Sequence, residues 1–160
     1  MASQKTNVMR LLEQKKIAYT AHEYPHGDEA VDGATVARMT GLDPARVFKT
    51  LVTRGASRQI YIFVVPVTAE LELRKAAKAA GEKSVEMVRV NEINALTGYV
   101  RGGCSPLGMK KSYPTIFHET AATLESIAVS AGKIGYQVEL APAELLRLSN
   151  GRCADIITED

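Results

Sequence analysis

The sequence has few of the features that mark secreted or membrane-spanning proteins. Its two cysteines, Cys104 and Cys153, are too few for the disulfide framework of a small secreted domain, so we interpret both as reduced thiols. The longest apolar stretch, residues 60–67, is far too short to cross a bilayer, and residues 1–5 do not begin the apolar core of a signal peptide. We therefore expect a cytoplasmic protein.

The chain also lacks a large excess of charge of either sign. The 20 Lys and Arg residues are offset by 18 Asp and Glu residues, which leaves a net charge of +2. This balance excludes a protein that binds nucleic acid over a broad basic surface, so any RNA contact must come from a local group of cations. With 160 residues, of which 46% are hydrophobic, we predict a single domain over residues 1–160 with its own core.

Apolar periodicity and turn residues predict short strands in antiparallel pairs with helices between them. This grouping, in place of strict alternation of strand and helix, favours an α+β domain. We predict helices at 6–16, 35–40, 72–80, 91–97 and 142–148, strands at 17–24, 47–52, 60–66 and 115–118, a turn at 43–44, and a hairpin over 129–140. Asn91 is expected to cap the fourth helix, and Gly41, Gly81 and Gly98 to end helices.

The segment 98–111 has the composition of a binding loop, with four glycines, one proline and three cations in fourteen residues. Gly102, Gly103 and Gly108 are expected to adopt positive-φ turns and to bring backbone amides close to an anion or a polarised carbonyl oxygen. The cations Arg101, Lys110 and Lys111 could then form a small basic mouth that contacts RNA. An ordinary connection between strands is the alternative, because glycine and proline clusters mark turns more often than sites.

Two further segments support a binding site. The predicted strand at 47–52 is apolar on both faces except for Lys49 and one threonine, so Lys49 should be partly buried, either in a pocket or with its ammonium extended to the surface. The hairpin over 129–140 should present Ser130, Gly132 and Lys133 at its tip.

These three motifs, in this order, resemble the YbaK/EbsC family. The motifs are Val-Phe-Lys-Thr at 47–50, Gly-Gly-Cys-Ser-Pro-Leu-Gly at 102–108 followed by two lysines, and Val-Ser-Ala-Gly-Lys at 129–133, and the resemblance extends from Val8 to residues 154–156. Members are free-standing deacylases that hydrolyse cysteine mischarged onto proline tRNA, and they are related to an editing domain of bacterial prolyl-tRNA synthetases. The resemblance implies a mixed, largely antiparallel, barrel-like sheet flanked by helices.

No protein nucleophile or metal site is evident in the sequence. Cys104 has no histidine in a partnering motif, Ser105 lies outside any nucleophile-elbow pattern, and His22 and His26 are separated by a proline that prevents one helical face from presenting both. The resemblance agrees, because the family is thought to use the substrate's own thiol to attack its ester and to need no cofactor. The protein would then act by positioning the thiol and the carbonyl.

The resemblance also implies roles for individual residues. Lys49 matches the family's essential lysine, which orients the substrate and stabilises charge, and the loop backing the carbonyl matches at Gly102 and Gly103. The residues expected to bind substrate are Tyr24, Ser105, Ser130, Gly132 and Lys133. Two departures stand out: Gln137 occupies a position where relatives can carry an aspartate, and Cys104 one where they can carry an aliphatic residue.

Three points stay open at this stage. An alanine-specific deacylase acting on proline tRNA would have a very similar pocket, and a non-catalytic module that binds tRNA or a synthetase could keep the fold. The intact Lys49 and glycine loop argue against such a module. The expected partner is the acceptor end of proline tRNA carrying cysteine, and the sequence leaves open whether prolyl-tRNA synthetase must deliver it.

Overall fold

The computed structural model describes residues 5–27 and 29–159, which form an α+β domain. Its helices are α1 (Asn7–Gln14), α2 (Gly33–Thr40), α3 (Leu73–Ala80), α4 (Val90–Thr97) and α5 (Pro142–Ser149), with 3₁₀ turns at Pro44–Arg46 and Glu119–Thr123. Its strands are β1 (Thr20–Glu23), β2 (Phe48–Gly55), β3 (Ile60–Pro66), β4 (Val85–Met87), β5 (Thr115–His118), β6 (Ile127–Ser130), β7 (Tyr136–Leu140) and β8 (Arg152–Ala154). No helix within these residues is long and apolar enough to cross a membrane.

The strands form two sheets. A five-stranded sheet has the order β4-β2-β3-β5-β8, and a three-stranded antiparallel sheet has the order β1-β7-β6. The β3–β5 and β5–β8 pairs are parallel and the other pairs are antiparallel, so the prediction of a mixed, largely antiparallel α+β fold is confirmed.

The barrel-like closure expected for the sheet is not formed by the described residues. Strand β4 pairs with the far end of β2, at Thr53 to Gly55, while β6 reaches the near end through one parallel bridge between Val47 and Ala128. Because a single bridge replaces a continuous ladder there, the two sheets meet at β2 without merging into one.

The apolar run at 60–67 is explained by burial on both faces of β3. Ile62 and Val64 point into the main core, which lies between the two sheets and α1, whereas Phe63 and Val65 pack with Ala76 of α3 in a second cluster. A strand buried on both sides needs no polar alternation. Strand β3 is thus packed on both faces, and it pairs along its length with β2.

Local capping explains most helix boundaries. The Thr6 hydroxyl accepts a hydrogen bond from the backbone N–H of Met9 (3.2 Å) at the start of α1, and Gly41 and Gly81 end α2 and α3 with left-handed φ values of 75° and 76°. The cap predicted for α4 was wrong. Arg89 occupies that position instead of Asn91, because the Glu92 carboxylate accepts from the Arg89 backbone N–H (2.9 Å).

Candidate active site

A cavity of about 930 Å³ opens where β2, α4, the β6–β7 hairpin and the segment from Gly98 to Lys111 meet. We call this segment the glycine loop. The lining combines charged, polar and apolar side chains from distant parts of the chain. It is formed by Tyr24, Glu29, Ala30, Val31, Asp32, Gly33, Val36, Phe48, Lys49, Thr50, Leu51, Val67, Val90, Asn91, Asn94, Val100, Arg101, Gly102, Cys104, Ser130, Ile134 and Gln137.

Lys49 lies on β2 at the wall of this cavity. Its position is set by the antiparallel ladder with β3, in which Lys49 pairs with Val65. The side chain is half-buried, as the sequence predicted, and it forms no ion pair or side-chain hydrogen bond with residues 5–27 or 29–159. A cation held by a rigid strand at a cavity wall can interact with an electron-rich ligand group.

The glycine loop approaches the hairpin too closely for side chains. Gly102 has the positive φ that was predicted (86°), but the prediction was wrong for Gly103, which lies outside that region. Gly103 is required for a different reason. A Cβ atom there would lie 3.0 Å from the backbone nitrogen of Ile134 and 3.2 Å from the backbone of Lys133, so the hairpin backbone occupies the space.

The far half of the loop is fixed by hydrogen bonds to its neighbours. The Tyr99 hydroxyl donates to the Leu107 carbonyl (2.6 Å) and accepts from the Asn7 side-chain amide (3.0 Å). Ser105 is fully buried, and its hydroxyl accepts from the Leu107 backbone N–H (3.2 Å). Ser105 is not among the residues that line the cavity, and its hydroxyl contacts the backbone of its own loop.

The hairpin residues divide between the cavity and the surface. Ser130 lines the cavity, and its hydroxyl accepts from the backbone N–H of Gly132 (3.2 Å). Gly132 packs against α1 and Tyr99, because a Cβ there would lie 2.7 Å from the Asn7 side chain. Lys133 is exposed and is not part of the lining. The structure thus brings Ser130, but neither of the other two, into contact with the cavity.

Tyr24 also lines the cavity. Its backbone N–H donates to the Gly135 carbonyl (2.9 Å), and its ring meets that of His26 edge-on at 6.4 Å between centroids. Burial raises the pKa of the Tyr24 phenol above its ordinary value, so the hydroxyl is protonated at neutral pH and can donate a hydrogen bond.

Of the three cations predicted to contact RNA, one lines the cavity and two lie on the surface outside it. Arg101 is exposed and lines the cavity, whereas Lys110 and Lys111 are exposed outside it. The Lys110 backbone N–H donates to the Thr97 carbonyl (3.0 Å), which closes the loop onto the end of α4. The two lysines are the last residues of the glycine loop and lie on the surface outside the cavity.

The cysteine thiols are poor nucleophiles in this structure. Burial raises the pKa of Cys104 to about 11, and it also raises the pKa of Cys153. A thiol is reactive as its thiolate, and Cys104 is almost entirely protonated near neutral pH. Within residues 5–27 and 29–159 no group of three His, Cys, Asp or Glu side chains could hold a metal ion.

The histidines make structural contacts instead. The His22 imidazole pairs with the Glu139 carboxylate (2.9 Å) across β1 and β7, and the buried His118 Nδ1 accepts from the Ile156 backbone N–H (3.3 Å). Burial lowers the pKa of His118, which favours the neutral ring.

Several lining residues did not emerge from the sequence as site residues. No motif marks Asp32, which caps the start of α2, or Asn91 and Asn94, which lie on α4. Thr50 was visible as the second polar residue in an apolar strand, and Gln137 as a departure from the family pattern. Their Oγ1 and Oε1 atoms are the two buried side-chain polar atoms that lack a hydrogen-bond partner within the described structure.

Comparison with protein families and known structures identifies this arrangement. The model of the aminoacyl-tRNA editing domain matches residues 28–148, which include β2, the glycine loop and the hairpin. The chain belongs to the aminoacyl-tRNA editing domain family. This confirms the resemblance to YbaK/EbsC proteins, and as a member of the family the protein is an aminoacyl-tRNA deacylase.

Similar proteins cover nearly the whole chain. EbsC of Enterococcus faecalis, whose name describes a candidate Cys-tRNA(Pro)/Cys-tRNA(Cys) deacylase, is 46% identical over 157 residues, or 98% of this chain and 96% of that protein. YwhH of Bacillus subtilis, an uncharacterized protein, is 26% identical over 113 residues, or 71% of each chain. A solved structure described as a candidate trans-editing enzyme for prolyl tRNA synthetase shares the fold of this editing domain, with a TM-score of 0.82, 23% identity and coverage of 98% and 100%.

Proposed function

We propose that this deacylase hydrolyses cysteine mischarged onto proline tRNA and that it acts in trans, as a protein separate from the synthetase. The observation that carries the proposal is the 46% identity to EbsC over 98% of this chain, since that protein is named for cysteinyl-tRNA deacylation. The site geometry is compatible with such a reaction, because Lys49 and the glycine loop lie at one cavity.

The reaction would use the substrate's own thiol as the nucleophile. The thiol sulfur attacks the ester carbonyl, its proton passes to the departing ribose hydroxyl, and the C–O ester bond breaks to leave a cysteine thiolactone. Water then opens the thiolactone and releases cysteine. Cys104 does not compete as a nucleophile, because its raised pKa keeps it protonated.

The protein would contribute positioning and charge. Holding the thiol against the carbonyl can supply up to about 7–11 kcal/mol in ideal intramolecular cases. The Lys49 ammonium would stabilise the developing oxyanion, and the backbone at Gly102, which lines the cavity, would support the carbonyl. Gly103 would act indirectly, by allowing the loop to pack closely on the hairpin. Tyr24 and Ser130 line the same cavity and could contact the aminoacyl group.

The tRNA would enter from the side of the glycine loop. Arg101 lies at the cavity and would contact the nucleotide nearest the ester, while Lys110 and Lys111 would contact phosphates of the acceptor end. With so few cations available, we expect binding of modest affinity. Prolyl-tRNA synthetase is a proposed partner that could supply the mischarged tRNA.

Deacylation of a set of matched proline tRNAs tests the proposal. The set carries cysteine, serine, alanine or S-methylcysteine, and the purified protein is assayed alone and with prolyl-tRNA synthetase. We expect fast cleavage of the cysteinyl ester, slower cleavage of the seryl ester, and almost none of the other two. Size cannot produce this order, because a methyl-sized difference changes discrimination by about 1–3 kcal/mol and alanine fits wherever cysteine fits.

Two results would contradict the proposal. Rapid hydrolysis of alanyl-tRNA would indicate attack by water and an alanine-specific deacylase. Equal cleavage of cysteinyl and S-methylcysteinyl esters would show that the thiol does not take part in the reaction.

A further inference from the structure

The cavity contains two polar atoms whose hydrogen bonding is incomplete. Gln137 lies on β7 between His22 of β1 and Ser130 of β6, and its side chain lines the cavity with only 7% of the residue exposed. Its Oε1 atom is buried and has no hydrogen-bond partner within the described structure, and the same holds for Oγ1 of Thr50 on β2.

Such atoms are uncommon in folded proteins. About nine in ten or more buried polar groups have a partner, and one without a partner calls for an explanation such as strain, a functional role, or a bound water or ion. Here the two buried, unpartnered side-chain atoms of the described structure both belong to residues that line one cavity. Their placement therefore indicates a part of the cavity that a polar ligand group completes.

The chemistry of an aminoacyl ester restricts which group this can be. An amide oxygen only accepts hydrogen bonds, and the carbonyl and bridging oxygens of an ester also only accept them. The α-amino group is the strong donor of the aminoacyl part, and a thiol is a weak one. Two carboxylates of the described structure line the cavity, those of Glu29 and Asp32, and both residues are exposed. The Asp32 carboxylate already accepts from the Thr35 backbone N–H (3.1 Å) and hydroxyl (2.6 Å), so neither carboxylate is a buried acceptor like the Gln137 amide oxygen.

We propose that Gln137 is a specificity-determining residue that accepts a hydrogen bond from the α-amino group of the aminoacyl ester, and that the Thr50 hydroxyl, which can accept as well as donate, accepts a second one. That the amino acid is cysteine rests on the proposed function, whereas that the substrate is an aminoacyl ester rests on membership of the family. Because the Gln137 amide is neutral, its contact with the amino group is a hydrogen bond and not a salt bridge.

A pair of substrates isolates this contact. Cysteinyl-tRNA(Pro) is compared with 3-mercaptopropionyl-tRNA(Pro), which keeps the thiol and the ester but lacks the amino group. Each enzymatic rate is divided by the uncatalysed hydrolysis rate of the same ester, so that intrinsic reactivity cancels. We expect wild-type protein to prefer the amino-bearing ester by about 10- to 100-fold, the range for a hydrogen bond to a charged group.

Substitutions then assign the preference to the residues. Gln137→Met keeps the length of the side chain but removes both polar atoms, and it should abolish the preference. Gln137→Glu keeps an acceptor and should retain the preference. Thr50→Val should reduce it. The matched control is Thr53→Val, because Thr53 is buried on the same strand outside the lining and its hydroxyl donates to the Tyr61 carbonyl (2.9 Å).

The outcomes separate this inference from the proposed function. An unchanged preference in folded Gln137→Met protein would overturn the inference, and so would loss of the preference in Gln137→Glu, since that result would make the amide N–H groups the essential atoms. If wild-type protein cleaves alanyl-tRNA(Pro) but not cysteinyl-tRNA(Pro), the proposed specificity fails. The same ratios are then measured with alanyl and propionyl esters, which test Gln137 on their own.

Discussion

Replacing Gly103 by alanine adds one methyl group, which should destabilise the contact between the glycine loop and the hairpin. Gly103 does not have a positive φ, so alanine is allowed by the backbone and the effect reduces to contacts of the new Cβ. That atom would lie 3.0 Å from the Ile134 nitrogen and 3.2 Å from the Lys133 backbone. Both neighbours belong to the main chain of the hairpin, so a side-chain rotation cannot relieve the contact.

The glycine loop and the hairpin must therefore move apart by a few tenths of an ångström. Overpacking of this kind costs about 1–3 kcal/mol of unfolding free energy. For a domain of this size that corresponds to a fall in melting temperature of about 2–12 °C. Because Gly102 and Ser130 line the cavity from these two segments, the displacement should also lower kcat, by less than the roughly 100-fold that a full 1 Å misplacement costs.

Thermal unfolding and single-turnover deacylation of Gly103→Ala measure both effects. Gly27→Ala is the matched control, because Gly27 is exposed, lacks a positive φ and has nothing within 4 Å of its added Cβ. We expect the control to melt and react like wild type. Wild-type stability and rate in Gly103→Ala would refute the tight contact between loop and hairpin on which the site geometry depends.

Three further predictions address the remaining residues of the site. Lys49→Ala should lower kcat by about 100- to 1,000-fold without unfolding the protein, because an oxyanion-stabilising group is lost, and Lys49→Arg should be equally impaired. Circular dichroism and a rate assay measure folding and activity. A folded and fully active Lys49→Ala protein would remove the lysine from the mechanism. Cys104→Ala should keep most activity, because burial raises the thiol pKa to about 11; an inactive, folded variant with an acyl adduct on wild-type Cys104 by mass spectrometry would instead establish a covalent mechanism. Replacing both Lys110 and Lys111 by glutamate should weaken tRNA binding in a filter-binding assay. The slope of log affinity against log salt concentration should fall by the amount expected for about two lost phosphate contacts. Unchanged binding would place the RNA elsewhere.

Much of the fold could be predicted from local sequence. Strand β3 was predicted over its observed span of Ile60–Pro66, and β5 over Thr115–His118. The glycines at 41, 81 and 98 end helices in left-handed conformations because they follow the last turn of an amphipathic segment, which is a local property. The α+β class followed from the same local patterns.

The sequence could not determine how the strands associate. Strands β4 and β8 were not predicted, because each has three residues and exists only through pairing with β2 or β5 at the edge of the sheet. The expected barrel-like sheet likewise depended on whether β6 would pair along β2, and the single bridge from Val47 to Ala128 is a tertiary outcome. Sheet order is set by non-local packing, which no window of sequence contains.

The site shows the same division. Lys49 could be identified from the sequence because a lysine in an apolar strand is unusual, and Gly102 because its loop is rich in glycine. Only the tertiary structure decided that Ser130 reaches the cavity while Ser105 is buried in the loop and Lys133 faces solvent, since these outcomes depend on how the loop and the hairpin pack. The unpartnered oxygens of Thr50 and Gln137 also required the structure, because a residue's type shows which hydrogen bonds it can make, and only its packed surroundings show which of them are missing.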